Sequence, residues 1–222
     1  MLEVDGVVKE FDGLRVLNHA SLKVRKGAIA GLIGPNGSGK TTLFNVVSGI
    51  YKPDGGRIFY QGKRIDGLKP YQIFRQGLVR TFQIPRLFQR LSVLSNMLIA
   101  AKSNSGERFS SALARGRWLK EEKALTEKAM EILRFLDLDR LKDEPASNLS
   151  GGQMKLLELG RALMSDPKML LIDEPASGVN PAMVNRIFEK ILELREEGLT
   201  FLVIEHRMEA LLNYADWIYV MY

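Results

Sequence analysis

The chain of 222 residues contains no cysteine, only two histidines and only two tryptophans. Without thiols there can be no disulfide, no cysteine-ligated zinc and no iron–sulfur cluster, and a reducing compartment is compatible with the composition. Long apolar runs are also missing. The stretch from Gly27 to Pro35 spans nine residues without a strongly polar side chain, whereas a membrane-crossing helix needs about 20. Glu3 and Asp5 interrupt the place where a basic and then apolar secretory leader would stand, so the protein is expected to stay where it is made, in the cytosol. No repeat of solenoid or propeller length and no low-complexity tract is visible. What is present is ordinary globular composition, 45% apolar and 26% charged. It suits one large core, or a core with a small appended subdomain, better than two full domains.

Net charge is +6, and it is local. Between Arg57 and Arg90 stand eight basic residues against one acid, Asp66, so this segment carries +7 and the rest of the chain −1. A nucleic-acid-binding protein would spread a basic face over several elements. No nucleic acid is expected as a partner.

The first third reads as β-rich. Leu2 to Val8, Ala20 to Val24, Ala28 to Ile33 and Arg57 to Tyr60 are short β-branched or aromatic runs separated by turns at Asp12-Gly13, Lys26-Gly27 and Asp54-Gly55-Gly56. Leu98 to Lys142 is rich in Lys, Glu, Ala and Leu, with Leu125, Ala129, Ile132, Leu133 and Leu136 at helical spacing; it reads as a helical insertion. The last third alternates strand and helix. Met169 to Ile172 and Thr200 to Ile204 are fully apolar, as buried parallel strands are. Between them Asn180 can cap a helix, Pro181 suits its first turn and Gly198 its exit, with Val184, Ile187, Phe188, Ile191 and Leu192 forming its apolar stripe. His19 is expected to be part of a turn.

After the strand Ala28 to Ile33 comes GPNGSGKTT, Gly34 to Thr42. It fits the phosphate-binding loop G-x-x-x-x-G-K-[ST], in the required context of a strand leading in and an amphipathic helix leading out. Gly34, Gly37 and Gly39, with Asn36 and Ser38 between them, let backbone N–H groups converge on an anion at a helix N-terminus. Lys40 would reach the β- and γ-phosphates, the Thr41 hydroxyl would meet Mg²⁺, and Thr42 completes the nucleotide-binding set. Further on, MLLIDEP delivers Asp173 and Glu174 to the carboxyl edge of a sheet, where open α/β sheets bind ligands. Asp173 suits Mg²⁺, and Glu174 is placed to take a proton from a water attacking the γ-phosphate, or to orient that water.

These two motifs alone specify a P-loop NTPase. Between them lies LSGGQ, Leu149 to Gln153, with Ser150 placed 23 residues before Asp173. Ser150, Gly151 and Gly152 open a helix and offer a hydroxyl and N–H groups to a second anion. With this pentapeptide the chain resembles the ATP-binding subunit of an ABC transporter over essentially its whole length. The resemblance implies an α/β P-loop NTPase fold with a RecA-like core, an N-terminal antiparallel β-subdomain and an inserted α-helical subdomain. It implies one domain, 1–222, in which 1–84 and 155–222 form the nucleotide-binding core and 85–154 the helical signature subdomain. It implies ATP and Mg²⁺ as ligands. Phe11 falls where the family stacks an aromatic on adenine, and Val16 counts among the nucleotide-binding residues. Gln83, in RTFQ, matches a glutamine that reaches Mg²⁺ and the attacking water; His206 matches the switch histidine that contacts the γ-phosphate. Ser150, Gly151, Gly152 and Gln153 would close over the nucleotide of a second subunit in a head-to-tail homo- or heterodimer. Asn180 departs from the pattern, standing where many members have aspartate. A further strand and tail follow the position of Tyr222 in similar chains, so this sequence is expected to be cut short.

Within the family, Arg80 to Ala101 and EHRMEALLNYADWIYVMY at the end resemble the branched-chain amino-acid importers. That resemblance implies permease subunits in the membrane, indirectly an extracytoplasmic solute-binding protein, and a peripheral place on the cytoplasmic face. Urea-type importers and lipopolysaccharide exporters share much of the segment. A soluble ABC-type ATPase acting on nucleic acid or ribosomes is a rival that one P-loop, no cysteine and no sustained heptads speak against. A regulatory module without turnover is another, opposed by Glu174 and His206. Part of the basic stretch, Arg86 and Arg90 included, is expected to dock membrane-subunit loops or anionic headgroups, or to be only a solvated face.

Overall fold

The structure is a computed structural model and describes residues 1–82, 84–101, 115–206 and 208–222. In chain order, β1 (Leu2–Phe11), β2 (Leu14–Val24) and β3 (Ile29–Ile33) lead into α1 (Lys40–Val47). β4 (Gly55–Tyr60), β5 (Lys63–Arg64), α2 (Pro70–Arg75) and β6 (Leu78–Arg80) follow. Next come α3 (Val93–Ile99), α4 (Arg115–Phe135) and α5 (Gly151–Leu163). The chain then runs through β7 (Met169–Asp173), α6 (Pro181–Glu196), β8 (Thr200–Ile204), α7 (Met208–Leu212) and β9 (Trp217–Val220).

Two compact units divide the chain: Met1–Gln83 with Pro167–Tyr222, and Ile84–Asp166. The expected boundary between 154 and 155 falls inside α5. That helix buries Leu156, Leu157, Leu159 and Leu163 and packs on α3 and α4, so it stays whole within the second unit.

The first unit holds an antiparallel sheet, ordered β2-β1-β4-β5, and a parallel sheet, ordered β6-β7-β8-β3-β9. Asp12 and Gly13, with φ of 47° and 83°, make the kind of tight turn whose twist matches two antiparallel strands. Pairing therefore reaches Phe11 and Leu14. β1 runs three residues past Val8 and β2 starts six before Ala20, because polar residues such as Arg15, Asn18 and His19 hide an edge strand from a reading based on apolar runs. His19 belongs to β2, not to a turn. It has a φ of 53° beside the register shifts of the β1–β2 pair, the mark of a bulge.

α1 shares one core with both sheets. Leu43, Phe44, Val46 and Val47 are at most 2% exposed. They cluster with Leu2, Val4, Ile58 and Tyr60 of the antiparallel sheet and with Leu32, Met169, Leu171 and Leu202 of the parallel one. On the other face of the parallel sheet Leu170, Phe201 and Val203 are fully buried too, which is why these strands read as unbroken apolar runs. α6 is capped as expected, Asn180 Oδ1 accepting the Met183 N–H at 2.9 Å. Its stripe is Val184, Ile187, Phe188, Ile191 and Leu194. Leu194 takes the place expected for Leu192, since it stands two turns beyond Ile187 while Leu192 is rotated to the half-buried flank.

In the second unit, the fully buried Asn96 staples the preceding loop: its Oδ1 accepts from the Phe88 N–H and its Nδ2 donates to the carbonyls of Phe88, Leu91 and Ser92. α4 buries Ala129 and Leu133, and Leu136 just beyond its end is buried as well, with Leu125 and Ile132 half-buried beside them.

Two outcomes follow for stability. Phe188 has no exposed surface and stacks on Tyr214 with ring centroids 5.0 Å apart. Phe188→Ala is expected to cost about 3–5 kcal/mol in urea unfolding, while Leu14→Ala, at 68% exposure, should stay within about 0.5 kcal/mol of wild type. The Asp54 carboxyl accepts the Glu10 N–H and a bond from Lys9, which hold its pKa below the ordinary 3.8. A depressed carboxyl stabilises the fold above its unfolded pKa and loses that contribution as pH falls through the folded one. The stability difference between wild type and Asp54→Asn, measured by denaturant titration, should therefore shrink as pH drops below 3.8.

Candidate active site

The loop 34–39 closes a turn between the buried strand β3 and the buried helix α1, so its backbone is fixed at both ends. Gly39 occupies the N-cap of α1 with φ 91°, and a Cβ there would lie 2.9 Å from the Val16 carbonyl oxygen. Glycine is required on both counts. Lys40 turns back into the loop and donates to the carbonyls of Gly34 and Pro35, each at 2.8 Å, with the Ser38 hydroxyl at 3.5 Å. Burial pulls the Lys40 pKa below its ordinary value, and the charges of Glu174 and Asp173 oppose that shift.

At the carboxyl edge of the same sheet, Asp173 ends β7 and is 4% exposed. Its Oδ2 accepts from Arg80 at 2.9 Å. Glu174 follows with φ 48°, a left-handed conformation that costs a glutamate on the order of 1–3 kcal/mol. It is held there by its N–H on the Ile204 carbonyl at 3.0 Å and by the Ser177 N–H on its own carbonyl at 3.1 Å. His206 Nε2–H donates to Glu174 Oε1 at 2.7 Å. An open cavity of about 240 Å³ is lined by Val16, Asn36, Gly37, Gly39, Lys40, Thr41, Thr42, Glu174 and His206. Asn36, Gly37, Gly39, Lys40, Thr41 and Thr42 thus meet the second acid and the histidine in one place, while Ser38, also expected, lies outside this lining.

Phe11 lies outside that lining. It is half-buried at the end of β1, edge-on to Tyr51 at 5.2 Å between centroids. Gln83 lies outside the described residues. Ser150, Gly151, Gly152 and Gln153 belong to the second unit, where Ser150 caps α5: its hydroxyl accepts the Gln153 N–H, and the Gln153 side chain accepts the Ser150 N–H at 2.8 Å. Ser150 and Gly151 are exposed.

Two site residues escape a reading of the sequence. Glu205 is 2% exposed; its carboxylate accepts the Ala176 N–H at 2.6 Å and the His206 N–H at 3.1 Å, and so positions the chain on both sides of the Glu174–His206 pair. Its only signal was its place between an apolar strand and His206. Arg80, counted above with the basic stretch, is buried against Asp173 instead of belonging to a solvated face. The sole hint was an arginine ending an apolar strand at the sheet's carboxyl edge.

Among the described residues no group of three or more His, Asp or Glu could hold a metal ion. One carboxylate, Asp173, and one hydroxyl, Thr41, form an incomplete set of hard oxygen donors. This fits Mg²⁺, which keeps several waters and is bound through one or two carboxylates together with substrate phosphates.

Residues 17–177 match the family described as ABC transporter. The chain is 50% identical over its full length to the probable branched-chain amino acid transport ATP-binding protein LivG of Archaeoglobus fulgidus, of which it covers 85%. It is 46% identical to the protein of the same description from Methanocaldococcus jannaschii, again over its full length and covering 86%. A crystal structure of the ADP conformation of MJ1267, an ATP-binding cassette of an ABC transporter, superposes with a TM-score of 0.86 at 44% identity, covering all of this chain and 87% of that one. With its nucleotide loop, sheet-edge acids and P-loop NTPase fold, this chain belongs to the ABC transporter family as an ATP-binding, ATP-hydrolysing subunit.

Proposed function

We propose that the chain is the motor subunit of a branched-chain amino-acid importer, peripheral on the cytoplasmic face of the membrane and seated on permease subunits that an extracytoplasmic solute-binding protein supplies. The relatives named for branched-chain amino-acid transport and aligned over the whole chain support the solute and the setting. The observation that carries the chemistry is the single cavity in which Lys40 faces Glu174 and His206.

On this reading the triphosphate enters along the loop 34–42. The β- and γ-phosphate oxygens replace the Gly34 and Pro35 carbonyls as partners of the Lys40 ammonium, which is already desolvated. Backbone N–H groups at the start of α1 take the phosphate oxygens, and the helix dipole favours their charge. Thr41 and Asp173 would hold Mg²⁺, which would supply positive charge to offset the negative charge developing in phosphoryl transfer. Glu174 accepts the proton of the attacking water, and the His206 imidazole fixes that carboxylate. Gln83 would report on the same water, and Phe11 with Val16 would border the base. Ser150, Gly151, Gly152 and Gln153 of a second ATP-binding subunit would close over the γ-phosphate, their exposed helix start being a second anion site.

Steady-state ATPase assays of Glu174→Gln should show a fall of about 10²–10⁴-fold with ATP binding retained, and ATP should drive this variant into dimers in light scattering. Rates equal to wild type would remove Glu174 from catalysis.

A further inference from the structure

Arg80 ends β6 with its side chain 7% exposed. One guanidinium nitrogen donates to Asp173 Oδ2 at 2.9 Å, and another to Asn45 Oδ1, on α1, at 2.6 Å. The guanidinium centre lies 5.5 Å from the Phe44 ring centroid and 5.4 Å from that of Phe82. Its Nε is buried without a hydrogen-bond partner.

Stability does not call for this arrangement. A buried ion pair roughly breaks even against apolar side chains of similar volume, and an orphaned N–H adds a desolvation cost. The other two residues of β6, Leu78 and Val79, are apolar and buried, so an apolar residue would continue the strand as well. What the arginine alone supplies is a rigid fork between three parts of the site. It spans the acid at the end of β7, the helix that carries Lys40, and the segment Thr81-Phe82 that leads to Gln83. The two rings leave the guanidinium little freedom to turn.

We propose that Arg80 is a positioning residue: it pins Oδ2 of Asp173 and ties it to α1 through Asn45, so that Oδ1 is the oxygen left for Mg²⁺. This deepens the functional reading above and rests on it. The charge of Asp173 also acts on Lys40, and pairing of β7 with β8 places its backbone; what the arginine fixes is the direction of its carboxylate. Lysine cannot reproduce this, because a point charge cannot hold two acceptors in one plane.

The test measures binding of the non-hydrolysable analogue AMP-PNP by calorimetry, with Mg²⁺ and again in EDTA. Wild type should bind more tightly with the metal. Arg80→Met should lose about 10–100-fold of metal affinity, the range seen when a partner of a metal ligand is removed, while binding in EDTA stays near wild type. Arg80→Lys should recover part of the loss, and Asn45→Ala, which frees the fork but keeps the charge pair, should fall in between. A wild-type Mg²⁺ response in Arg80→Met overturns the proposal. Should Arg80→Met fail to fold, as its melting curve would reveal, wild-type Mg²⁺ half-saturation in both Arg80→Lys and Asn45→Ala overturns it equally. Failure of the wild type to bind AMP-PNP under either condition would overturn the functional reading, and the arginine's role with it.

Discussion

The burial of α1 between two sheets is the constraint on which the site depends. Leu43, Phe44, Val46 and Val47 leave solvent almost completely, and at roughly 1.5–3 kcal/mol per side chain this fixes the helix firmly. A helix held along its length has a fixed N-terminus, so the glycine loop before it must follow a set path. Gly39 in a left-handed cap, against the Val16 carbonyl, is where that path is tightest. The geometry of this loop is thus a by-product of core packing, and its Gly34 and Pro35 carbonyls hold Lys40 inward.

The second constraint is the parallel sheet. Pairing Asp173 with Ile204 and Leu32 with Ile204 brings the carboxyl ends of β3, β7 and β8 to one edge. Buried apolar strands must change character where they leave the core, and here each change is chemical: glycine loop, acid pair, Glu205 and His206. The strained backbone of Glu174 is tolerated because Ile204, Ser177 and His206 all hold it. Charges at such an edge need partners. Asp173 has Arg80, Lys40 has its loop carbonyls, and Glu205 has two backbone N–H groups.

Much of this was legible in the residues because local signals and tertiary demands agree. The loop 34–42, the caps at Asn180 and Ser150, and the apolar runs of β7 and β8 each carry their own signature. β2 was shortened in the reading because its first half is polar and is held by backbone pairing to β1, which leaves no periodic trace. The unit boundary after α5 was equally hidden, since a helix gives no sign in sequence of which neighbours it packs on. Arg80 and Glu205 were missed for one reason: a buried charge looks like a surface charge until its partner is seen, and the telling partners, Asp173 for Arg80 and the Ala176 N–H for Glu205, are distant in sequence. Arg80 shows the cost of assigning a basic stretch to a surface by composition.

The most direct measurement is a crystal structure of the Glu174→Gln chain grown with ATP and Mg²⁺. The expected result has the β- and γ-phosphates against Lys40 and the start of α1, with the terminal phosphate beside residue 174 and His206. Nucleotide seated away from the loop around Lys40, or a γ-phosphate remote from His206, would contradict the reading of this cavity as the site of hydrolysis.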